Sequence, residues 1–106
     1  MSDDVLNRLF EVIESRKGAD ADTSYTAKLL DGGAPKIGNK ISEEAAEVVI
    51  AALSEGKDAV TRESADLLYH LLVMWADQGI TPKDVFAELA RREGISGIDE
   101  KNSRKD

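Results

Sequence analysis

The sequence predicts an all-α fold, a bundle of four to five helices that dimerisation completes. Apolar residues recur at the spacing of a helix from the start of the chain, as Leu6, Leu9, Phe10 and Ile13 do. Two later segments are apolar on nearly every side. No segment shows the alternation of apolar and polar residues that indicates a half-buried strand. Helices without strands pack as bundles, which is the architecture we expect.

The first two helices follow from apolar spacing and from the small residues after them. Ser2 suits the N-terminus of the first helix, which we expect to end near Lys17, because the next residues are small and polar. Residues 24–30 predict a short second helix that ends at a pair of glycines. Pro35 extends the loop after them, since proline disfavours helix in the residue before it.

The third and fourth predicted helices are the most apolar. The third covers about residues 42–54, with Ser42 as its N-cap, and Gly56 ends it. The fourth covers about residues 58–78 and stops at Gly79. A short link joins them, so they should pack antiparallel.

The last predicted helix opens with a strong start signal. Thr81 is its cap, and a proline and an acidic residue follow at positions that favour a helix start. The helical pattern fades near Gly94. We therefore expect one all-α domain over residues 1–96 and a polar C-terminal tail over residues 97–106.

Composition narrows the classes of function. The chain has 106 residues, 14 basic and 21 acidic, and a formal net charge of -7. That charge argues against binding to nucleic acid or to an anionic membrane. There is no cysteine, so a thiolate metal site and a cysteine nucleophile are excluded. No apolar run is long enough to span a bilayer and the N-terminus is acidic, so we expect a cytoplasmic protein.

The two apolar helices also predict self-association. A helix that is hydrophobic on all sides belongs in an interior. In a chain of 106 residues, two such helices need cover beyond what the chain itself provides. We therefore expect a homodimer.

Four acidic residues lie on these same helices. Glu44 and Glu47 are three residues apart and share a helix face, and Glu63 and Asp66 repeat that spacing. Their distances from the connecting turn bring the two pairs to similar levels. Acidic pairs also occur by chance on solvated faces. The alternative is a site for a hard cation, Mg²⁺ or Mn²⁺, which carboxylate oxygens favour.

The acidic pattern resembles a known family. Residues 43–47 and 63–66 match EExxE…ExxD, which is similar to the all-α nucleotide pyrophosphohydrolase superfamily of MazG-like enzymes. Four blocks, which extend the similarity over about residues 5–97, resemble the phosphoribosyl-ATP pyrophosphohydrolase family: residues 24–30, 36–47, 65–73 and 84–89.

The resemblance implies a reaction and a set of site residues. Members hydrolyse the α–β phosphate bond of phosphoribosyl-ATP in the second step of histidine biosynthesis, with Mg²⁺. Carried onto this chain, the resemblance implies that the metal ligands are Glu44, Glu47, Glu63 and Asp66. The run before them, residues 39–42, departs from the family's usual two basic residues and glycine, and it leaves Lys40 as the phosphate contact.

Other roles follow from the chemistry. A carboxylate beside the metal can orient or deprotonate water, and Glu47 and Glu43 are both candidates. Lys28 and Lys36 precede the acidic helix, as Lys40 does, and are further candidates for phosphate binding. His70 lies one turn after Asp66, where a hydrogen-bonded core histidine is the simplest interpretation.

Two other functions are compatible with the sequence. A house-cleaning pyrophosphohydrolase for NTPs or dNTPs would share the metal site and differ in the pocket for base and sugar. A non-catalytic dimerisation module with an acidic patch would not respond to Mg²⁺.

Overall fold

The computed structural model describes residues 4–104, most of which lie in five helices. In chain order they are α1 (Asp4–Ser15), α2 (Tyr25–Ser54), α3 (Lys57–Gln78), α4 (Pro82–Arg91) and α5 (Gly97–Arg104). Residues 4–104 contain no strand, and the all-α prediction is confirmed. Ser2, the predicted start of the first helix, lies outside the described residues. Within the same range, no helix is both long enough and apolar enough to cross a membrane.

The hydrophobic core lies between α1, α2 and α3. The apolar stripe predicted for α1 faces it, with Phe10 and Ile13 buried and Leu6 and Leu9 packed beside them. Burying a large apolar side chain stabilises a fold by about 1.5–3 kcal/mol, so this cluster is the main source of stability. Its largest fully buried side chains are Ile13, Leu29, Ile37, Leu72 and Val73.

The helix α2 corrects the predicted boundary between the second and third helices. We expected a loop around the glycine pair and a new helix capped by Ser42. Instead, α2 continues across a kink at Gly33, whose φ of 72° and ψ of -170° are not helical. Pro35 follows the kink at the start of the second segment, where a missing N–H costs little. Ser42 is therefore not an N-cap, and Glu43 and Glu44 lie inside a continuous helix.

The turn between α2 and α3 and the ends of α3 and α4 follow the local sequence signals. Gly56 has a φ of 107° and joins α2 to α3, and Gly79 ends α3 in the left-handed conformation, with a φ of 75°. Thr81 caps α4 in a capping box with Asp84, and Pro82 takes the first turn. The short link at Gly56 brings α2 and α3 together in the most extensive helix–helix contact of the described chain.

The polar segment after Gly94 forms a helix that the sequence did not predict. Ion pairs attach α5 to α4, and Glu100 is their centre, with only 4% of its surface exposed. Its Oε2 lies 2.7 Å from Arg91 Nη2 and 3.1 Å from Arg104 Nε. A helix held by charged contacts has no apolar stripe for a sequence search to find.

Several apolar side chains on the second segment of α2 are exposed. Val49, Ile50 and Leu53 lie on the surface of the chain, with Leu53 81% exposed. The same is true of Phe86 and Leu89 on α4. A single chain therefore leaves part of the third predicted helix uncovered, and the homodimer expected to cover it stays a prediction.

Candidate metal centre

Three of the four predicted metal ligands come together where α2 and α3 pack. Glu44 on α2 and Glu63 and Asp66 on α3 each offer one carboxylate oxygen, and these oxygens all lie within 4.8 Å of one another. The spacing of three residues places Glu63 and Asp66 on one face of α3. Glu44 is buried, Glu63 half-buried and Asp66 exposed. The cluster therefore has an inner wall and an open side.

The fourth predicted ligand, Glu47, lies beside this group. Burial raises the pKa of Glu63, and a hydrogen bond to the Glu47 carboxyl raises it further. Two carboxyl groups can share a hydrogen bond only if one of them holds a proton, so the contact favours the protonated form. The charges of Glu47, Asp66 and Glu44 act in the same direction. The fold therefore brings several carboxyl groups close together at a partly buried position, which disfavours their charged forms.

Two oxygens of the cluster have no hydrogen-bond partner. Oε1 of Glu44 and Oε1 of Glu63 are both buried and unpaired within the described chain. A buried acceptor left without a partner costs about 1–3 kcal/mol. A hard divalent cation accepts carboxylate oxygens and neutralises their repulsion. The residues present therefore fit such a cation.

The predicted phosphate-binding lysines and Glu43 occupy different environments. Lys40 Nζ lies 3.1 Å from Glu43 Oε1, and this hydrogen bond raises the pKa of Lys40. Glu43 is exposed and is not among the three clustered acids. Lys28 and Lys36 are exposed as well, and the Lys36 side chain runs beside Gly32 at the kink. Lys40 alone among the three lysines is tied to the acidic segment.

A chain of polar contacts next to the acids was only partly foreseen. His70 is buried and hydrogen-bonded, as we expected. Its Nδ1 lies 2.7 Å from the backbone oxygen of Asp66, and its Nε2 lies 3.0 Å from Tyr25 Oη. Tyr25 was not identified from the sequence. The available signal was its place directly after Ser24, which caps α2 by accepting a hydrogen bond from the Ala27 N–H.

The two arginines near the end of α4 have structural partners. Arg91 Nη2 lies 2.7 Å from both Glu88 Oε2 and Glu100 Oε2. Arg92 Nε lies 3.0 Å from Glu88 Oε2. The contact with Glu100 joins α4 to α5, and the contacts with Glu88 engage both guanidinium groups at the end of α4.

The chain is similar to known proteins over most of its length. The family model described as phosphoribosyl-ATP pyrophosphohydrolase matches residues 6–93. A phosphoribosyl-ATP pyrophosphatase from Paramagnetospirillum magneticum is 64% identical over 94% of this chain and 92% of its own length. Proteins of the same name from Azospirillum brasilense and Rhodospirillum rubrum are 57% and 59% identical, over 95% and 96% of this chain and 91% and 87% of their own lengths. The chain therefore belongs to the phosphoribosyl-ATP pyrophosphohydrolase family.

Proposed function

We propose that this protein hydrolyses phosphoribosyl-ATP to phosphoribosyl-AMP and pyrophosphate, the second step of histidine biosynthesis. Family membership and the names of the similar proteins support the substrate. The observation that carries the chemistry is the group of three carboxylates within 4.8 Å, two of which have a buried unpaired oxygen. Such a group can hold the cation that a polyphosphate substrate needs.

Glu44, Glu63 and Asp66 would hold Mg²⁺, with Mn²⁺ as the alternative ion. When bound, the ion neutralises phosphate charge and stabilises the leaving pyrophosphate. Glu47 would complete the ligand set from the next turn of α2, since it already contacts Glu63. The open side of the cluster, at Asp66, is where the substrate phosphates would approach.

Glu47 is our proposed catalytic base, in preference to Glu43. It is exposed and next to the cluster, so its carboxylate can orient a water and take its proton. The water oxygen then bonds to the α phosphorus as the bond from that phosphorus to the α–β bridging oxygen breaks, and the bridging oxygen leaves with pyrophosphate. Glu43 instead pairs with Lys40, which supports a role in holding that lysine.

Lys40 is the proposed phosphate contact. It lies one turn before Glu44 on α2, and Glu43 holds its ammonium group as a cation at the approach to the acids. The exposed Lys28 and Lys36 remain candidates for the outer phosphates.

The substrate is tested by measuring pyrophosphate release from phosphoribosyl-ATP beside a panel of NTPs and dNTPs, with Mg²⁺. We expect phosphoribosyl-ATP to have the highest kcat/KM. Faster turnover of a dNTP would refute this substrate and favour a house-cleaning enzyme. Glu47→Gln and Asp66→Asn should each abolish turnover, whereas Glu11→Gln on the exposed face of α1 should not. Activity in both site variants would refute the site.

We also propose that the chain works as a homodimer in the cytoplasm. The support for the dimer is the group of exposed apolar side chains on the second segment of α2, which a second copy would cover. Leu53 is the most exposed of them, so Leu53→Glu should shift the chain towards monomer in sedimentation velocity. A wild-type monomer at micromolar concentration would refute the dimer.

A further inference from the structure

His70 connects the first turn of α2 to the turn of α3 that carries Asp66. A carbonyl oxygen can only accept a hydrogen bond, so the contact of 2.7 Å requires that His70 Nδ1 carries a hydrogen and donates a hydrogen bond to the backbone oxygen of Asp66. In the neutral ring Nε2 is then an acceptor, and the Tyr25 hydroxyl donates to it across 3.0 Å. The ring is 5% exposed. The hydrogen bonds therefore run in one direction, from the Tyr25 hydroxyl to His70 and from His70 to the backbone oxygen of Asp66.

Tyr25 is placed so that this contact matters for the acids. It begins α2, on the far side of the Gly33 kink from Glu44. Burial raises the pKa of Tyr25 while Lys40 opposes this, and the charges of Glu44 and Glu43 raise it as well. The hydroxyl therefore lies within electrostatic range of the acidic cluster. Its ring stacks on Tyr69, with centroids 6.3 Å apart and planes 21° apart.

The kink leaves the first segment of α2 without a continuous helical link to the second. Gly33 is the one residue inside α2 whose backbone angles are not helical. The hydrogen bond from Tyr25 to His70 ties that first segment to α3, and His70 extends the tie to the backbone of a proposed metal ligand. Few other side-chain hydrogen bonds connect α2 and α3 in the described chain.

We propose that Tyr25 and His70 are positioning residues for the metal centre. They hold the turn of α3 that carries Asp66 against the first turn of α2, and so keep Asp66 in its position in the cluster. This inference rests on the proposed function, since it assumes that those carboxylates bind Mg²⁺. Groups that orient metal ligands change metal affinity about 10- to 100-fold when they are removed. Because Tyr25 acts through His70 and a backbone carbonyl, we expect a loss near 10-fold.

The chain provides a matched control for this effect. Thr26 Oγ1 and Tyr69 Oη are hydrogen-bonded, and this contact also joins the first turn of α2 to α3. It does not continue to Asp66. Tyr25→Phe and Tyr69→Phe each remove one phenolic hydroxyl from one α2–α3 hydrogen bond, so they differ in the link to the acids.

The experiment measures Mg²⁺ affinity by titration calorimetry and melting temperature by circular dichroism, on the full chain. Both tyrosine variants should melt at a lower temperature than the wild type. Tyr25→Phe should weaken Mg²⁺ binding by about 10-fold, and Tyr69→Phe by less than about 2-fold. Saturating Mg²⁺ should restore the kcat of Tyr25→Phe to near the wild-type value, because the lost property is metal affinity.

A double variant tests whether Tyr25 acts through His70. If Tyr25 acts only through His70, then adding Tyr25→Phe to His70→Leu should cause no further loss of Mg²⁺ affinity. Additive losses would overturn the proposed order.

The outcomes separate this inference from the proposed function. If the wild type binds Mg²⁺ and turns over phosphoribosyl-ATP, but the two tyrosine variants bind Mg²⁺ equally well, only the positioning role is refuted. If the wild type neither binds Mg²⁺ nor has this activity, the proposed function fails, and the positioning role fails with it.

Discussion

Replacing Glu44 by methionine separates its proposed role in metal binding from its effect on stability. Glu44 is 9% exposed, and its Oε1 has no hydrogen-bond partner in the described chain. An unpaired buried acceptor costs about 1–3 kcal/mol, and an unbranched apolar side chain of similar length removes that cost. The metal-free variant should therefore be more stable than the metal-free wild type by about 1–3 kcal/mol, which corresponds to roughly 5–15 °C in melting temperature.

Added Mg²⁺ should reverse part of this difference. A ligand that binds only the folded chain stabilises it by about 2.7 kcal/mol at 100 times its Kd. The wild type should gain that stability, whereas the variant, which lacks the buried ligand, should gain none. Melting curves in EDTA and in saturating Mg²⁺, followed by circular dichroism, measure both terms.

The control is Glu11→Met, at an exposed position on α1. Surface substitutions of this kind usually change stability by less than about 0.5 kcal/mol, and this variant should keep the full response to Mg²⁺. The reasoning is refuted if Glu44→Met lowers the melting temperature of the metal-free chain, or if its response to Mg²⁺ matches that of the wild type.

Two other predictions concern the fold. Hydrogen bonds from Arg91 and Arg92 lower the pKa of Glu88 to about 2 from an ordinary value of 4.5. A carboxyl group whose pKa is lowered by folding stabilises the fold above its ordinary pKa, and this stabilisation is lost as the pH falls towards the pKa of the folded state. Glu88→Gln should therefore flatten the loss of stability between about pH 4.5 and pH 2, and an unchanged acid-unfolding curve would contradict this. Gly33→Ala should destabilise the chain by about 1–3 kcal/mol, because a φ of 72° strains any residue with a Cβ, although there is space for the methyl group. Gly38→Ala, inside the helix, should be neutral or stabilising by up to about 1 kcal/mol. Denaturant unfolding of both variants measures the difference, and equal shifts would refute the reasoning.

Helix ends were predictable where the signal is local. Gly79 ends α3 and Thr81 opens α4 as expected, because a left-handed glycine and a capping box depend on a few neighbouring residues. The prediction that Ser42 is an N-cap was wrong, since serine is also tolerated inside a helix. Whether it caps a helix depends on the residues before it, and one glycine, Gly33, changes the direction of the chain with no loop.

Tertiary contacts explain what the sequence could not predict. The helix α5 depends on Glu100, whose partners come from α4 and from α5 itself. The contact between Tyr25 and His70 joins residues 45 positions apart. Neither contact leaves a periodic pattern in the sequence, so neither can be read from spacing alone.

The candidate site was predictable as a pair of helix faces but not as a geometry. A spacing of three residues leaves two side chains about 60° apart around the helix, so it defines a face but not a single direction. The rotation of α2 against α3 decides which side chains meet. In the structure Glu44 meets Glu63 and Asp66, while Glu47 lies to one side, against Glu63. That difference fits the proposal that Glu47, besides completing the ligand set, is the carboxylate that handles the water.

The placement of the acids connects stability to the proposed chemistry. Unpaired buried oxygens on Glu44 and Glu63 make the metal-free fold less stable than an apolar version of the same contact would be. A bound cation would remove that penalty, so part of its binding free energy would appear as folding free energy. Without an ion, repulsion between the carboxylates acts to separate them, although binding would require them to stay close together. Rigid helix interiors and the link from Tyr25 through His70 to Asp66 oppose that separation. On the proposed function, a site held in this way would accept an ion with little movement of the two helices that carry it.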